Sequence, residues 1–417
     1  MRVHFLDKIK YELNKRNPYQ YFYQFWKYNT LFEHKDLERS IQKVYQAHKR
    51  LQHYMVEENG QYHYKSTHFE TIYFNYTTHN KDLEKEVDHF MTNYSNDYII
   101  KSKEAPFILV NINNSNNSLL LFLHNHIYYD GFTGHQMVKH FWDCYENKAI
   151  DSVEDEWLDD QQMLEKLKTQ NKNFNSLYYF QALAKHTFRS SKITGNKNVI
   201  KKIYQQDQPS KVLFKHLYIQ KDQFEKYHNK YSSNTIICAI LSDLFLSKKG
   251  HQTDNHIAIS IPWNIREREN TNLGNCVSSI SVKLHKKQST EDKCKIIHQA
   301  VDTFKELHYS RASYHLSCVI TKNKVKEELL KPFIKISQKH HCYISNHGRL
   351  TSVEQHPNLV SSGGFNYPLQ EQYGLVFTIT PNKDEYCIGI ASSDQIFTQE
   401  ELENFKFKKQ ASPIKCN

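Results

Sequence analysis

The chain has 417 residues, with 55 Lys and Arg against 45 Asp and Glu, a formal net charge of +10, and a composition that is 39% hydrophobic and 24% charged. That length predicts two or three compact units with sizeable cores, and 11 Gly and 9 Pro beside 28 Tyr and 24 Phe exclude collagen-like and low-complexity classes. No apolar run approaches the roughly 18 residues of a membrane span, and the basic residues are interleaved with glutamates, which argues against integral membrane and nucleic-acid partners.

In chain order, Leu37, Ile41, Val44 and Leu51 recur at helical spacing and predict a helix over 36–51 with Asp36 as its N-cap. YMVEENGQYHY reads as two strands turned through Asn59-Gly60, a strong hairpin signal. A strand over 71–77 follows, then a helix whose apolar stripe is Leu83, Val87, Phe90 and Met91. PFILVNI and LLLFLHN flank the polar turn NNSNNS and predict a second hairpin. Residues 134–146 then read as a helix with Met137, Val138, Phe141, Trp142 and Tyr145 on one side.

The pattern breaks over 147–176, where DSVEDEWLDD places six acids in ten residues and QNKNFNS has no periodicity. We read this as a linker and divide the chain into an N-terminal unit, 1–165, and a C-terminal unit, 166–417. Beyond it a helix precedes a strand near 212–219, and a long helix covers about 233–248. Strands follow at HIAISIPW and CVSSISVKL, helices between about 290 and 335, strands at HCYISN, YGLVFTIT and EYCIGIAS, and a closing helix at FTQEELENF. The predicted class is α+β, a mixed α/β sandwich in two units.

The N-terminal MRVHFLDKIKYELNKRNPYQ lacks the apolar centre of a secretory signal. Eight cysteines are spread from Cys144 to Cys416 without a CxxC, the usage of a reducing compartment, and a cytoplasmic location is expected. The positive charge suits either a plain basic surface or attraction of a phosphate-bearing small molecule.

The most informative stretch is LLLFLHNHIYYDGFTGH, residues 119–135, where an apolar strand runs out into His126 and the chain turns through Asp130-Gly131 into a helix. A histidine at a strand end facing a gap between units suits a general base, because its ordinary pKa near 6.5 lets it accept a proton at neutral pH. Asp130 reads as a brace for the loop. In a chain with 25 histidines, chance pairs of His and Asp are common, so spacing alone does not decide. His124 and His126 would share a strand face, with His135 as a third imidazole, but no carboxylate or cysteine supports them at ligand spacing and no metal is expected. GxSxG, GxxxxGK[ST] and GxGxxG motifs are absent. Gly363-Gly364 in SSGGFNYP reads as a turn rather than a phosphate cradle.

Asn125-His126-Ile127-Tyr128-Tyr129-Asp130-Gly131 resembles the HHxxxDG signature of the chloramphenicol acetyltransferase-like superfamily, which includes nonribosomal peptide condensation domains, polyketide-associated acyltransferases, wax ester synthases and alcohol acetyltransferases. The first histidine is Asn here, and the second is kept. The resemblance covers most of the chain. DLERSIQKVYQAHKRLQHYMVEENGQYHY is similar to the opening helix and hairpin, and SIPWNIRERENTNLGNCVSSISVKL to a segment in which Arg precedes Gly-Asn and a strand. ISNHGRL is similar to the SN-x-G stretch of standalone acyltransferases, and FTITPNKDEYCIGIASSDQIFTQEELENF to the closing hairpin and helix. The DFGWG motif of plant acyltransferases is absent.

The resemblance implies two lobes in a V with a central channel, and an acyltransferase that forms an ester or amide from a thioester donor. His126 would be the general base in a ternary complex, so holding the substrates together supplies much of the rate. Asp130 would be structural, paired with Arg266, with Arg268 and Arg349 as runners-up, since a buried carboxylate needs a partner. Gly131 would let the loop turn tightly and bring a backbone N–H near the oxyanion. Ser345 and Asn346 would either supplement that oxyanion site or form an ordinary strand-end turn. No cofactor would be permanently bound. The donor would be acyl-CoA or a phosphopantetheinyl carrier protein, and the acceptor a small molecule or lipid. The alternatives are a standalone condensation enzyme joining carrier-bound units, and a degenerate member that only binds an acyl chain or a partner.

Overall fold

The computed structural model describes residues 7, 11, 21–69, 72–93, 105–150, 181, 211–264, 277–306, 340–349, 356–366 and 374–405. The first part of the chain forms β1 (Tyr21–Tyr28), α1 (His34–Ala47), β2 (His53–Glu58), β3 (Gln61–Ser66), β4 (Tyr73–Thr77), α2 (Leu83–Asn93), β5 (Phe107–Asn113), β6 (Ser118–Asn125) and α3 (Gly131–Tyr145). The later part forms β7 (Val212–Gln220), α4 (Ser233–Lys249), β8 (His256–Asn264), β9 (Val277–His285), α5 (Thr290–Glu306), β10 (Cys342–Asn346), β11 (Leu359–Asn366), β12 (Leu375–Pro381), β13 (Glu385–Ser393) and α6 (Gln399–Glu403). The linker expected at 147–176 falls almost wholly outside the described residues, as do Arg266 and Arg268.

Local chemistry explains most of the boundaries. Asn59 and Gly60 both have positive φ, 52° and 74°, the twist that joins β2 to β3 in a two-residue hairpin. Leu83, Val87, Phe90 and Met91 are all buried, which turns α2 onto the core. Thr398 and Glu401 close a capping box at the start of α6. Asp36 does not cap α1: the helix begins two residues earlier, after Glu33, and Asp36 sits in the first turn, where it favours the helix dipole and pairs with Arg39 at 3.0 Å.

Two mixed sheets carry the molecule, with strand orders β11-β1-β6-β5-β4 and β7-β13-β12-β10-β8-β9, and β2 and β3 stand apart as a hairpin. β4 runs parallel to β5, and β10 runs parallel to both β8 and β12. Each sheet has its own hydrophobic core. β1 and β11 are strands that periodicity does not reveal. YFYQFWKY of β1 is buried on both faces, so it shows no alternation. LVSSGGFN of β11 is polar and glycine-rich, yet Gly363-Gly364 lies inside the strand and is not a turn.

β11 belongs to the later part of the chain but is the edge strand of the first sheet, antiparallel to β1 with Gln24 opposite Gly364 and Trp26 opposite Ser362. It also lies against β13. A Cβ on Gly389 would meet the Gly364 carbonyl oxygen at 2.0 Å, and one on Gly363 would meet the Phe25 ring at 2.5 Å. Only glycine lets the backbones come this close. Side chains complete the junction: Asn382 Oδ1 accepts from Ser362 N at 3.1 Å, and Asn366 N donates to Thr378 Oγ1 at 3.1 Å.

A second tie joins α2 to strands of the later part. Glu84 accepts from Ser361 Oγ at 2.6 Å and from the Tyr218 hydroxyl, and pairs with Lys27 Nζ at 3.4 Å. Burial by itself would raise the Glu84 carboxyl, but these donors hold it below its ordinary value. The five cysteines among the described residues are all buried and unbridged. No described helix is long and apolar enough to cross a membrane.

Candidate active site

The NHIYYDG loop is built by side chains that replace missing backbone pairing. Asn125, the last residue of β6, accepts from Ile127 N through Oδ1 at 3.0 Å, and its carbonyl accepts from Tyr128 N and Tyr129 N at 3.0 and 3.1 Å. This is an Asx-type turn, for which asparagine is a natural choice at the position where the resembling motif has a histidine. Asp130 then caps α3: Oδ1 accepts from Thr133 N and from Thr133 Oγ1, both at 3.0 Å. The carboxylate is fully buried, and it adds to the effect of burial in raising the Tyr343 hydroxyl above its ordinary range.

A buried arginine braces the middle of the loop. Arg50 donates to the Tyr128 carbonyl at 2.7 Å and pairs with Asp7 at 3.1 Å, with both charged groups almost wholly out of solvent. The Tyr128 hydroxyl accepts from Met55 N at 2.7 Å. Arg50 was not among the arginines expected to hold this region. Of those, Arg349 donates to the Asn382 carbonyl at 3.4 Å.

His126 emerges half-buried from this framework beside the Phe22 ring, at 5.3 Å between centroids. Phe22 is a hub for imidazoles: His124 stacks on it at 4.6 Å and His347 meets its edge at 6.0 Å. His135, from the first turn of α3 onward, lies 6.4 Å from His347. Desolvation, reinforced by these mutual neighbours, lowers His124 well below its ordinary pKa and takes His347 to about 3, although Asn366 beside His347 pulls the other way. Desolvation takes His135 to about 4. These three imidazoles are therefore neutral at physiological pH. Among the described residues no group of three or more His, Cys, Asp or Glu is arranged to hold a metal ion.

The remaining sequence candidates take definite positions. Ser345 is buried and Asn346 exposed at the end of β10. Asn346 Oδ1 accepts from Gly348 N at 2.7 Å, and its amide nitrogen approaches Asn234 Oδ1 at 3.4 Å. It stabilises the turn in which Gly348 adopts φ +74°. His347, between them, is the residue that reaches the imidazole cluster. Strand alternation from Ser345 is the signal that would have found it. Gly131 does not have the positive φ that a glycine-specific turn requires, and a Cβ there would meet nothing within 4 Å. The glycine that packing requires is Gly134, where a Cβ would meet the Phe22 ring at 2.8 Å and His124 at 3.3 Å.

A small cleft, with room for about one water, adjoins the cluster between β1, β11, His135, His347 and the end of β12. The cluster, the loop and the cleft therefore meet where the two sheets approach each other.

No protein-family model matches the sequence, and no curated protein is similar to it. Solved structures are similar. The first condensation domain of the CDA synthetase superposes with a TM-score of 0.67 at 9% identity, covering 97% of this chain and 92% of that one. The chain has the condensation-domain fold. A starter condensation domain of the rhizomide synthetase RzmA, in complex with C8-CoA, gives 0.62 at 10% identity, over 97% and 91% of the two chains. The EpoB cyclization-docking bidomain from Sorangium cellulosum gives 0.60 at 11% identity, over 97% and 81%. The two-lobed α+β architecture expected from the sequence is thus the architecture of the molecule. At these identities the likeness is one of fold, and within the condensation-domain fold the chemistry must be argued from the NHIYYDG loop itself.

Proposed function

We propose that the chain is an acyltransferase, carrying an acyl group from a thioester to a hydroxyl or amine acceptor by direct transfer, with His126 as general base. The observation that supports this reading is His126 itself: an imidazole at the end of a buried strand, on a loop fixed by Asn125, Asp130 and Arg50, in a chain with the condensation-domain fold. His126 takes the proton from the acceptor O–H or N–H as oxygen or nitrogen attacks the thioester carbonyl. The tetrahedral intermediate collapses, the C–S bond breaks, and the departing thiolate receives that proton from the imidazolium. The N–H of Gly131 serves the developing oxyanion in this reading, which is supported by the first backbone donors of a helix having no partner within it. Asp130 acts through the loop, as a positioning residue.

The donor is acyl-CoA or a phosphopantetheinyl carrier protein. The net charge of +10 suits both, since coenzyme A is polyphosphorylated and carrier proteins are usually acidic. The C8-CoA complex of the rhizomide domain favours CoA, and the synthetase origin of the similar domains favours a standalone condensation enzyme acting on carrier-bound units.

The test is thiol release from acyl-CoAs of graded length with mixed alcohol and amine acceptors. We expect release that requires an acceptor and falls about 10²–10⁴-fold in His126→Ala. Release only from carrier-bound thioesters would select the condensation reading. Inertness of wild type and variant alike, with CoA and carrier donors, would leave a binding protein.

A further inference from the structure

Asn125, Asp130 and Arg50 fix the backbone that carries His126, but the imidazole still turns about χ2, a torsion without sharp staggered wells. A general base works only when one ring nitrogen is aimed at the acceptor proton, so the ring must be set as well as the loop. The Phe22 ring meets the His126 ring at 5.3 Å between centroids, with 64° between the planes. Aromatic pairs of this T-shaped kind have a preferred geometry that an aliphatic neighbour cannot impose. Phe22 is itself held on several sides. It is 1% exposed, and its face stacks on His124 at 4.6 Å with 14° between the planes. The tip of the ring lies against Gly134, where a Cβ would come within 2.8 Å of Cε2 and Cζ. His347, from the later part of the chain, meets it at 6.0 Å.

We propose that Phe22 is a positioning residue for His126: its clamped ring sets the plane in which the imidazole stands. The inference deepens the acyl-transfer reading and rests on it. The action is geometric rather than electrostatic, because the phenyl ring carries no charge and the His124 and His347 imidazoles around it are neutral. It makes the register of β1 matter to catalysis. Phe22 lies opposite His124 of β6 on one side and opposite Asn366 of β11 on the other, so both parts of the chain must be in place before the ring is seated. It also gives Gly134 a role beyond packing. With His124 stacked on its face, the Phe22 ring cannot yield to a Cβ at position 134 without leaving its seat beside His126.

The test pairs steady-state thiol release by the full chain with NMR of its histidines, isotope-labelled at Cε1. The His126 signal is the one missing from His126→Gln. Phe22→Leu is expected to lower kcat about 10²-fold with KM changed by less than about threefold, the mark of a misaimed group rather than a lost binding contact. The His126 signal should move from its wild-type position as the ring current is lost, and broaden as the imidazole samples more orientations. Gly134→Ala, which displaces the ring from the far side without removing it, should lower kcat about tenfold and move the same signal. Phe25→Leu makes the same exchange at a fully buried ring on the opposite face of β1. It should lower the melting temperature, yet leave kcat within about threefold and the His126 signal unmoved. A loss of kcat in Phe22→Leu no larger than in Phe25→Leu overturns the proposal, as does a rise in KM alone or an unmoved His126 signal. If Phe22→Leu does not fold, Phe22→Met and Gly134→Ala carry both readouts. A wild type without turnover would sink the acyl-transfer reading instead, and the NMR comparison, which needs no substrate, would still decide whether Phe22 orders the imidazole.

Discussion

Asn125 shows how one residue can depart from a motif and still serve it. Its side chain bonds to Ile127 N and its carbonyl to the next two backbone amides, so it shapes the loop that presents His126. Asn125→Ala is expected to cost about 1 kcal/mol of stability, measured by urea denaturation, and to lower turnover further by loosening His126. The imidazole cluster gives a second prediction. His347 titrates near 3 when folded, against an ordinary value near 6.5, so between those values the unfolded chain holds a proton that the folded chain lacks. Stability therefore falls as pH drops through that window, by up to about 1.4 kcal/mol per unit for such a group, and His135 adds to the slope down to about 4. Urea midpoints at pH 7.5 and pH 5 should show the fall, and His347→Phe should flatten it. At this scale the sequence exposed what is locally encoded: Asn59-Gly60 and the Asp130-Gly131 helix start could be read from neighbours alone. His347 was missed, because alternation from Ser345 marks only the face it shares, and its importance comes from Phe22 and His135, distant in the chain.

Among elements, the decisive link is the short stretch after α1 that carries Arg50 beneath the loop. Arg50 satisfies the Tyr128 carbonyl and neutralises Asp7 in a site almost free of water. Arg50→Met would leave Asp7 buried without its guanidinium, and we expect a loss of about 3–5 kcal/mol, seen as a lowered melting temperature. Asp7→Asn should cost a comparable amount, since the Arg50 guanidinium left behind stays charged and buried. The helices and the alternating or hairpin-bounded strands were legible because one face of each is apolar. β1 was not, since Phe22, Gln24 and Trp26 and their neighbours are buried on both faces and leave no period to detect. β11 was hidden for the opposite reason: its serines and glycines look like a turn until the close approach of Gly389 explains them.

For the whole molecule, the two-part α+β organisation was legible from the alternation of elements and from the ordered series of family-like segments. What the sequence did not disclose is that the junction is a strand. The Gly364–Gly389 approach fixes β11 against β13, so Gly389→Ala should force the strands apart and lower the melting temperature, whereas Gly131→Ala, with open space before it, should leave stability within a few tenths of a kcal/mol of wild type. The Glu84 network strengthens the same junction: its stability is present above the ordinary carboxylate range and is lost as pH falls through the depressed Glu84 value. The position of β11 also constrains how the molecule is made. On the ribosome, β1 can pair with β6 early, but its other edge has no partner until residue 366 has been synthesised. For most of translation the first sheet presents an open aromatic edge, the kind of surface on which nascent chains misassociate. The first part of the chain, released alone, should therefore partition into aggregates or chaperone complexes, and a peptide spanning Leu359–Asn366 supplied in trans is the partner that should rescue it.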